Sequence, residues 1–310
     1  MKNLKYMMML TACFGIALCG LSACSDDDDP KGPEPGLLHV DIDPVAVYNQ
    51  MEFIQEISFY LREYVLSVTV MVYNEDKALV ASDVVVSSEL TTLSVDFPDL
   101  KGGNYTVVAM QQACDENKEG IWKFKDPENL ATCRVMSESF PLPAYSLLAI
   151  DTQKVTIDGD ATLSVTPQSM GSIVFFGYNG LPDDIDCTEV FLSTTNRARG
   201  LWIDPDRSSD DRLWRDEDAA TGLPYYLAQV EGEGGQRPPS MDLQLVFTID
   251  EGVQSTAVGF SDDYYLEETR IDFPFEHGKN YYFIYFFDQP EGERWIYGEG
   301  KLVFNGGVIE

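Results

Sequence analysis

After residue 60 the apolar side chains recur at every second position, and no long helical spacing interrupts them. Met241, Leu243, Leu245, Phe247 and Ile249 alternate with Asp242, Gln244, Val246 and Thr248. Successive side chains of a strand point to opposite faces, so this run predicts one buried face and one largely polar face. Leu66, Val68, Val70 and Val72 alternate in the same way with Ser67, Thr69 and Met71, as do Leu93, Val95 and Phe97 with Ser94 and Asp96. Tyr105, Val107 and Ala109 continue the pattern, and Ile271, Phe273 and Phe275 repeat it later. Tyr281 to Phe287 reads YYFIYFF, apolar on both faces, and predicts a central strand. Asp288 to Arg294 then forms a loop, and Trp295 to Phe304 returns as the last strand.

Turn chemistry separates these runs. Asn74-Glu75-Asp76-Lys77 is one turn cluster, and Asp158-Gly159-Asp160, between Val155–Ile157 and Leu163–Val165, is a tight turn. Short strands with turns between them predict an all-β chain of two tandem β-sandwich domains, immunoglobulin-like or transthyretin-like. The boundary that fits ordinary domain sizes assigns 38–167 to an N-terminal sandwich and 168–310 to a C-terminal one. Residues 197–239, rich in Asp, Arg, Gly, Pro and Ser, lack clear periodicity and read as a partly ordered insertion. Val47 to Glu63 reads either as a short helix or as a lead into the first strand.

The N-terminus has a different character. Lys2 and Lys5 precede an apolar run from Met7 to Leu21, too short and interrupted for a spanning helix. The run ends in Leu21-Ser22-Ala23-Cys24, which resembles a bacterial lipobox. That resemblance implies a signal peptide over 1–23 and acyl chains on Cys24. Stable anchoring needs more than one buried chain. Ser25-Asp26-Asp27-Asp28-Asp29 and a Pro/Gly-rich stretch complete a tether over 24–37 that cannot pack a core. Twelve such residues reach about 35–40 Å when extended. The alternative for the acidic run is a plain solvated spacer.

Composition narrows the partners. The chain has 310 residues and a formal net charge of −31. No basic patch is available for phosphate backbones, so nucleic acid is excluded as a partner. A hydrophobic content of 44% is enough for a core, which argues against disorder throughout. The histidines are His39 and His277, two in all, and no GxSxG, HExxH, P-loop or Rossmann pattern occurs. The reading is therefore non-catalytic, with no cofactor and no metal site. Asp204-Pro205-Asp206 with Asp210-Asp211 offers oxygen atoms to Ca²⁺ but lacks the glycine and terminal Glu of an EF-hand loop, so a solvated loop is the expectation. Cys114 and Cys133, at the two ends of one segment, are the candidate disulfide in an oxidising compartment, with Cys187 left over. Trp202, Trp214, Tyr225 and Tyr226 offer rings to a sugar ligand, or else pin the insertion to the sandwich.

The lipobox, acidic tether and β-rich body together resemble the fimbrillin-like and fimbrial-anchor lipoproteins of Bacteroidota. Residues Leu66 to Asp76 resemble their strand followed by a Tyr-Asn turn, and Leu100 to Ala109 their Gly-x-Tyr-Thr strand start. Met170 to Val174 and His277 to Tyr281 resemble further strand starts of that group. The resemblance implies an outer-membrane lipoprotein facing the cell exterior, with Ser25 to Asp29 as an export tag. Its role is then adhesive or fimbria-associated, with fimbrial subunits or an extracellular glycan or protein as partner. Shaft subunits of that group lose their first strand to an Arg-specific protease, which makes Arg62 either such a site or a surface charge. The rival expectation is a glycan-binding accessory lipoprotein of a nutrient-uptake system.

Overall fold

The computed structural model describes residues 32–43, 65–87, 93–114, 120–137, 147–179, 187–194, 198–208, 213–215, 225–231, 244–248, 252–261, 266–300, 304–305 and 308–309. Within 175–199, 209–274 and 304–309 the structure describes the backbone alone. Every regular element among the described residues is a strand. Val47 to Glu63, Arg62 with it, lies outside the described residues.

In the N-terminal half, β1 (Gly36–Ile42), β2 (Val65–Asn74), β3 (Leu79–Ser87), β4 (Leu93–Leu100) and β5 (Gly103–Cys114) are followed by two short strands. These are β6 (Trp122–Lys125) and β7 (Arg134–Ser137); β8 (Leu148–Ile157), β9 (Ala161–Val165) and β10 (Gln168–Ser169) complete the half. One sheet has the order β4-β1-β9 and another β10-β8-β5-β2-β3. They face each other across a core built from alternate residues. Leu38, Val40 and Ile42 of β1 meet Val68, Val70 and Val72 of β2 and Val107 and Ala109 of β5, all 0% exposed. This is the sandwich expected from the period-2 pattern.

The five-stranded sheet is covered on its other face too. Met71 and Tyr73 of β2, Val108 and Met110 of β5, and Leu148 and Ile150 of β8 pack with Trp122, Leu130, Cys133, Val135, Leu201 and Ile203. Ser67 and Met71, on the face opposite Val68, Val70 and Val72, are accordingly only 6% and 2% exposed. The cover is a sheet of order β14-β13-β7-β6, in which β13 (Ala198–Trp202) and β14 (Leu213–Arg215) come from the expected insertion. Strands of five and three residues are too short to show a period. Gly200 sits opposite Met136 in this sheet, and a Cβ built there falls 2.3 Å from the Val135 carbonyl oxygen. Only glycine permits that approach of β13 to β7.

The C-terminal half contains β11 (Ser172–Asn179), β12 (Cys187–Thr194), β15 (Tyr225–Glu231), β16 (Gln244–Thr248) and β17 (Gly252–Ser261). The later strands are β18 (Leu266–Phe275), β19 (Asn280–Phe286), β20 (Trp295–Glu299), β21 (Phe304–Asn305) and β22 (Val308–Ile309). Two four-stranded sheets have the orders β16-β11-β19-β20 and β15-β12-β17-β18. Phe275 of β18 meets Tyr281 of β19 edge to face, with ring centroids 5.2 Å apart. As expected, YYFIYFF is a central strand, flanked by β11 and β20. The last long strand ends at Glu299, not Phe304, and Gly300 follows at φ 133. The first strand of each half has one antiparallel and one parallel neighbour: β4 and β9 flank β1, and β16 and β19 flank β11.

Candidate functional site

Two places combine unusual chemistry with access. The first is where the chain enters β1. The tight turn at Asp158-Gly159-Asp160 folds back on it. The Glu34 N–H donates to Asp158 Oδ1 and the Leu37 N–H to Asp160 Oδ1, each at 2.9 Å. The Gly159 N–H donates to the Glu34 carbonyl at 3.0 Å. The contact is so close that a Cβ built on Gly36 would lie 2.0 Å from the Gly159 oxygen. Beyond the clamp, β1 continues with β4 on one side and β9 on the other.

On the outer face of that sheet His39 stands opposite Asp96 of β4. Its Nδ1 lies 2.5 Å from Asp96 Oδ1 and its Nε2 3.1 Å from Asp41 Oδ1. The bond to Asp96 raises the imidazole pKa above its ordinary value; burial opposes this and Asp41 adds to it.

The second place is a cleft of about 370 Å³ on the face of the five-stranded sheet. Strand order dictates its floor. Asn104 and Thr106 of β5 stand beside Thr156 and Lys154 of β8, and β2 ends alongside at Asn74. The β2–β3 turn supplies a wall. Asn74 Oδ1 accepts the Ala78 N–H at 2.9 Å, and Lys77 takes φ 62, which sets the turn expected at 74–77. The opposite wall is the segment after β13. Asp204, 4% exposed, accepts the Lys77 ammonium at 2.7 Å. Asp206 meets Lys77 at 3.0 Å and Lys154 at 3.4 Å. Both lysines hold the Asp206 carboxyl below the usual carboxylate range, and hydrogen bonds to the two aspartates raise Lys77. Asn104 Nδ2 donates to Glu75 Oε1 and Thr156 Oγ1 donates to Asn104 Oδ1, both at 2.7 Å.

This geometry accounts for several residues singled out from the sequence. Asp204 and Asp206 are ion-paired with lysines, and no metal-holding group of His, Cys, Asp and Glu occurs among the described residues. Trp202 is half-buried, with the Arg207 guanidinium 4.0 Å and that of Arg134 5.3 Å from its ring centroid. Its stacking surface is thus engaged by protein cations. Trp214 lies on β14, beside β13, whereas Tyr225 and Tyr226 lie on β15 in another sheet. Cys114 and Cys133 are buried thiols with no disulfide between them, contrary to the expected bond. The physical reason is placement: Cys133 is built into the core beside Tyr73, while Cys114 ends β5 next to Gly120. Burial pushes the Cys133 thiol up to about 11. Tyr73 in turn donates its hydroxyl to the Pro127 carbonyl at 2.9 Å. His277 sits in the turn before β19 and borders a second cavity of about 500 Å³ with Thr152, Gln168 and Pro205. Cys24, Ser25 and Asp26 to Asp29 lie outside the described residues. Sequence reasoning missed the cleft, since its residues come from five separated stretches.

No protein-family model matches the chain. No curated protein matches it in sequence. Solved structures do. A candidate adhesin from Bacteroides thetaiotaomicron superposes with a TM-score of 0.55 at 15% identity, over 88% of this chain and 98% of that one. The fimbrial anchor protein Mfa2 from Porphyromonas gingivalis gives 0.52 at 12% identity, over 89% and 98%. A candidate polysaccharide-binding protein from Bacteroides thetaiotaomicron gives 0.51 at 14% identity, over 82% and 91%. The chain therefore has the fold shared by these fimbrial-anchor and adhesin-type proteins of Bacteroidota.

Proposed function

We propose that the protein is a non-catalytic, lipid-anchored surface protein with an adhesive or fimbria-associated role. The observation that carries this reading is the likeness in fold to a fimbrial anchor and an adhesin, each spanned almost end to end. The mechanism is mechanical. Acyl chains on Cys24 hold the N-terminus in the outer membrane, and Ser25 to Asp29 serve as export tag and spacer. Load arriving through the tether meets the clamp at Glu34 and Leu37, at the start of β1, before it reaches the core residues of that strand. β1 then resists as an inner strand, bonded on both sides and contributing Leu38, Val40 and Ile42 to the core. Removing β1 would open that core, so the chain keeps its first strand as an anchor does. The body divides just after β10, two residues beyond the expected 167/168 boundary, into two sandwich domains, a division supported by the like placement of β1 and β11.

Deletion of the gene tests the role. Surface filaments are expected to detach into the medium, or adherence to fall, with full-length protein restoring both. Unchanged filaments together with unchanged adherence would overturn the reading. Replacing Asp26–Asp29 by alanine is expected to keep membrane attachment but remove protease accessibility on intact cells; retained accessibility counts against the export tag.

A second reading, a glycan-binding accessory lipoprotein, is favoured by the likeness in fold to a candidate polysaccharide-binding protein and by the polar cleft.

A further inference from the structure

The cleft on the five-stranded sheet presents donors and acceptors as neighbouring pairs. Lys154 and Asp206 form one pair, at 3.4 Å. Asn104 and Glu75 form the other, at 2.7 Å. A sugar hydroxyl both donates and accepts, so two adjacent hydroxyls are matched by a carboxylate next to an ammonium or amide. Each group retains capacity. An ammonium carries three donors and a carboxylate two oxygens. The Lys154 side chain is 70% exposed and reaches Asp206 at the long end of hydrogen-bond range.

The site is also held in advance. Asn104 is fixed between Thr156 and Glu75, and Asp206 between Lys77 and its own backbone N–H, which donates to Asp204 at 3.1 Å. Little side-chain freedom is then lost on binding. Leu130 is the apolar side chain of the lining on the cleft's own face of the sheet, whereas Tyr105 and Val155 turn their side chains into the core between the sheets. The volume of about 370 Å³ lies within the ~300–1,000 Å³ of small-molecule sites.

Charge decides the ligand class. Lys77 and Lys154 face Glu75 and Asp206, with Asp204 behind them, so the lining has no cationic excess. In a chain of net charge −31 an acidic sugar would be repelled. We propose that this cleft binds a neutral hexose unit through two adjacent hydroxyls, one pair engaging Lys154 and Asp206 and the other Asn104 and Glu75. The site is distinct from the aromatic residues of 197–239. It deepens the adhesive reading by naming a ligand class, and the gene-deletion experiment tests that reading without any sugar.

Calorimetric titration of the full-length protein in detergent tests the proposal. The probes are fragments of α-1,4-glucan, α-mannan and β-galactan, the matching methyl glycosides, and a uronic-acid oligomer. At least one neutral probe is expected to bind. Lys154→Ala and Asn104→Ala are each expected to weaken it about tenfold or more, as befits a lost hydrogen bond to or beside a charged group. Lys123→Ala, on the exposed face of β6, is expected to leave it unchanged. Equal binding of oligomer and methyl glycoside would identify a free sugar as sufficient; tighter binding of the oligomer would identify a glycan chain. Absence of binding to every neutral probe, unchanged affinity in both variants with their thermal unfolding preserved, or preference for the uronic-acid oligomer would overturn the proposal.

Discussion

The Lys77 ammonium and the Asp204 carboxylate meet at 2.7 Å across 127 residues of sequence, and Asp204 is buried at the contact. The pair latches the β2–β3 turn to the segment after β13. Arg207 reinforces the latch by donating to the Ala131 carbonyl at 3.1 Å while covering Trp202. Removing one partner leaves a buried carboxylate without its cation, which costs more than the pair gains. Lys77→Met is expected to lower stability by about 1–3 kcal/mol in denaturant unfolding. No loss would show the latch to be ornamental.

Gly200 is expected to be as sensitive. The Gly200→Ala methyl would fall on the Val135 carbonyl, so β13 must move away from β7. The expected cost is about 1–3 kcal/mol. Amide exchange should show faster exchange in 134–137 and 198–202, and unchanged protection there would contradict the close approach.

The raised His39 pKa sets a sign. An imidazolium between Asp96 and Asp41 is favoured in the folded state, so the contribution is fully present below the ordinary value of about 6.5. It is lost as pH rises through the folded value. The His39 ring resonances are expected to titrate above 6.5, and Asp96→Asn to lower that midpoint. A midpoint at or below 6.5 would contradict the pairing.

The buried thiols carry a further expectation. Cys133, raised to about 11 and fully buried, is expected to resist alkylation in the native protein, as is Cys114 at 1% exposure. Both should react after unfolding without reductant. A Cys114–Cys133 cross-linked peptide from the native protein would show a disulfide instead.

Much of the strand order was legible. The turns at Asn74–Lys77 and Asp158–Asp160 follow from their residues, and YYFIYFF announces its place as a central strand between β11 and β20. The sheet of β6, β7, β13 and β14 was not legible, because its strands hold only three to five residues and Gly200 pairs with Met136 from a distant part of the chain. The cleft was hidden for the same reason. Asn104 and Lys154 become neighbours only through the register of β5 on β8, and Asp206 joins them only through Lys77. Trp202 attracts notice as an aromatic, yet its arginine partners 134 and 207 are settled by folding.

The anchored-surface account is tested most directly at its first residue. Mass spectrometry of the N-terminal peptide from outer-membrane protein is expected to find Cys24 as the first residue, carrying acyl chains. A chain that begins elsewhere, or an unmodified Cys24, would contradict it.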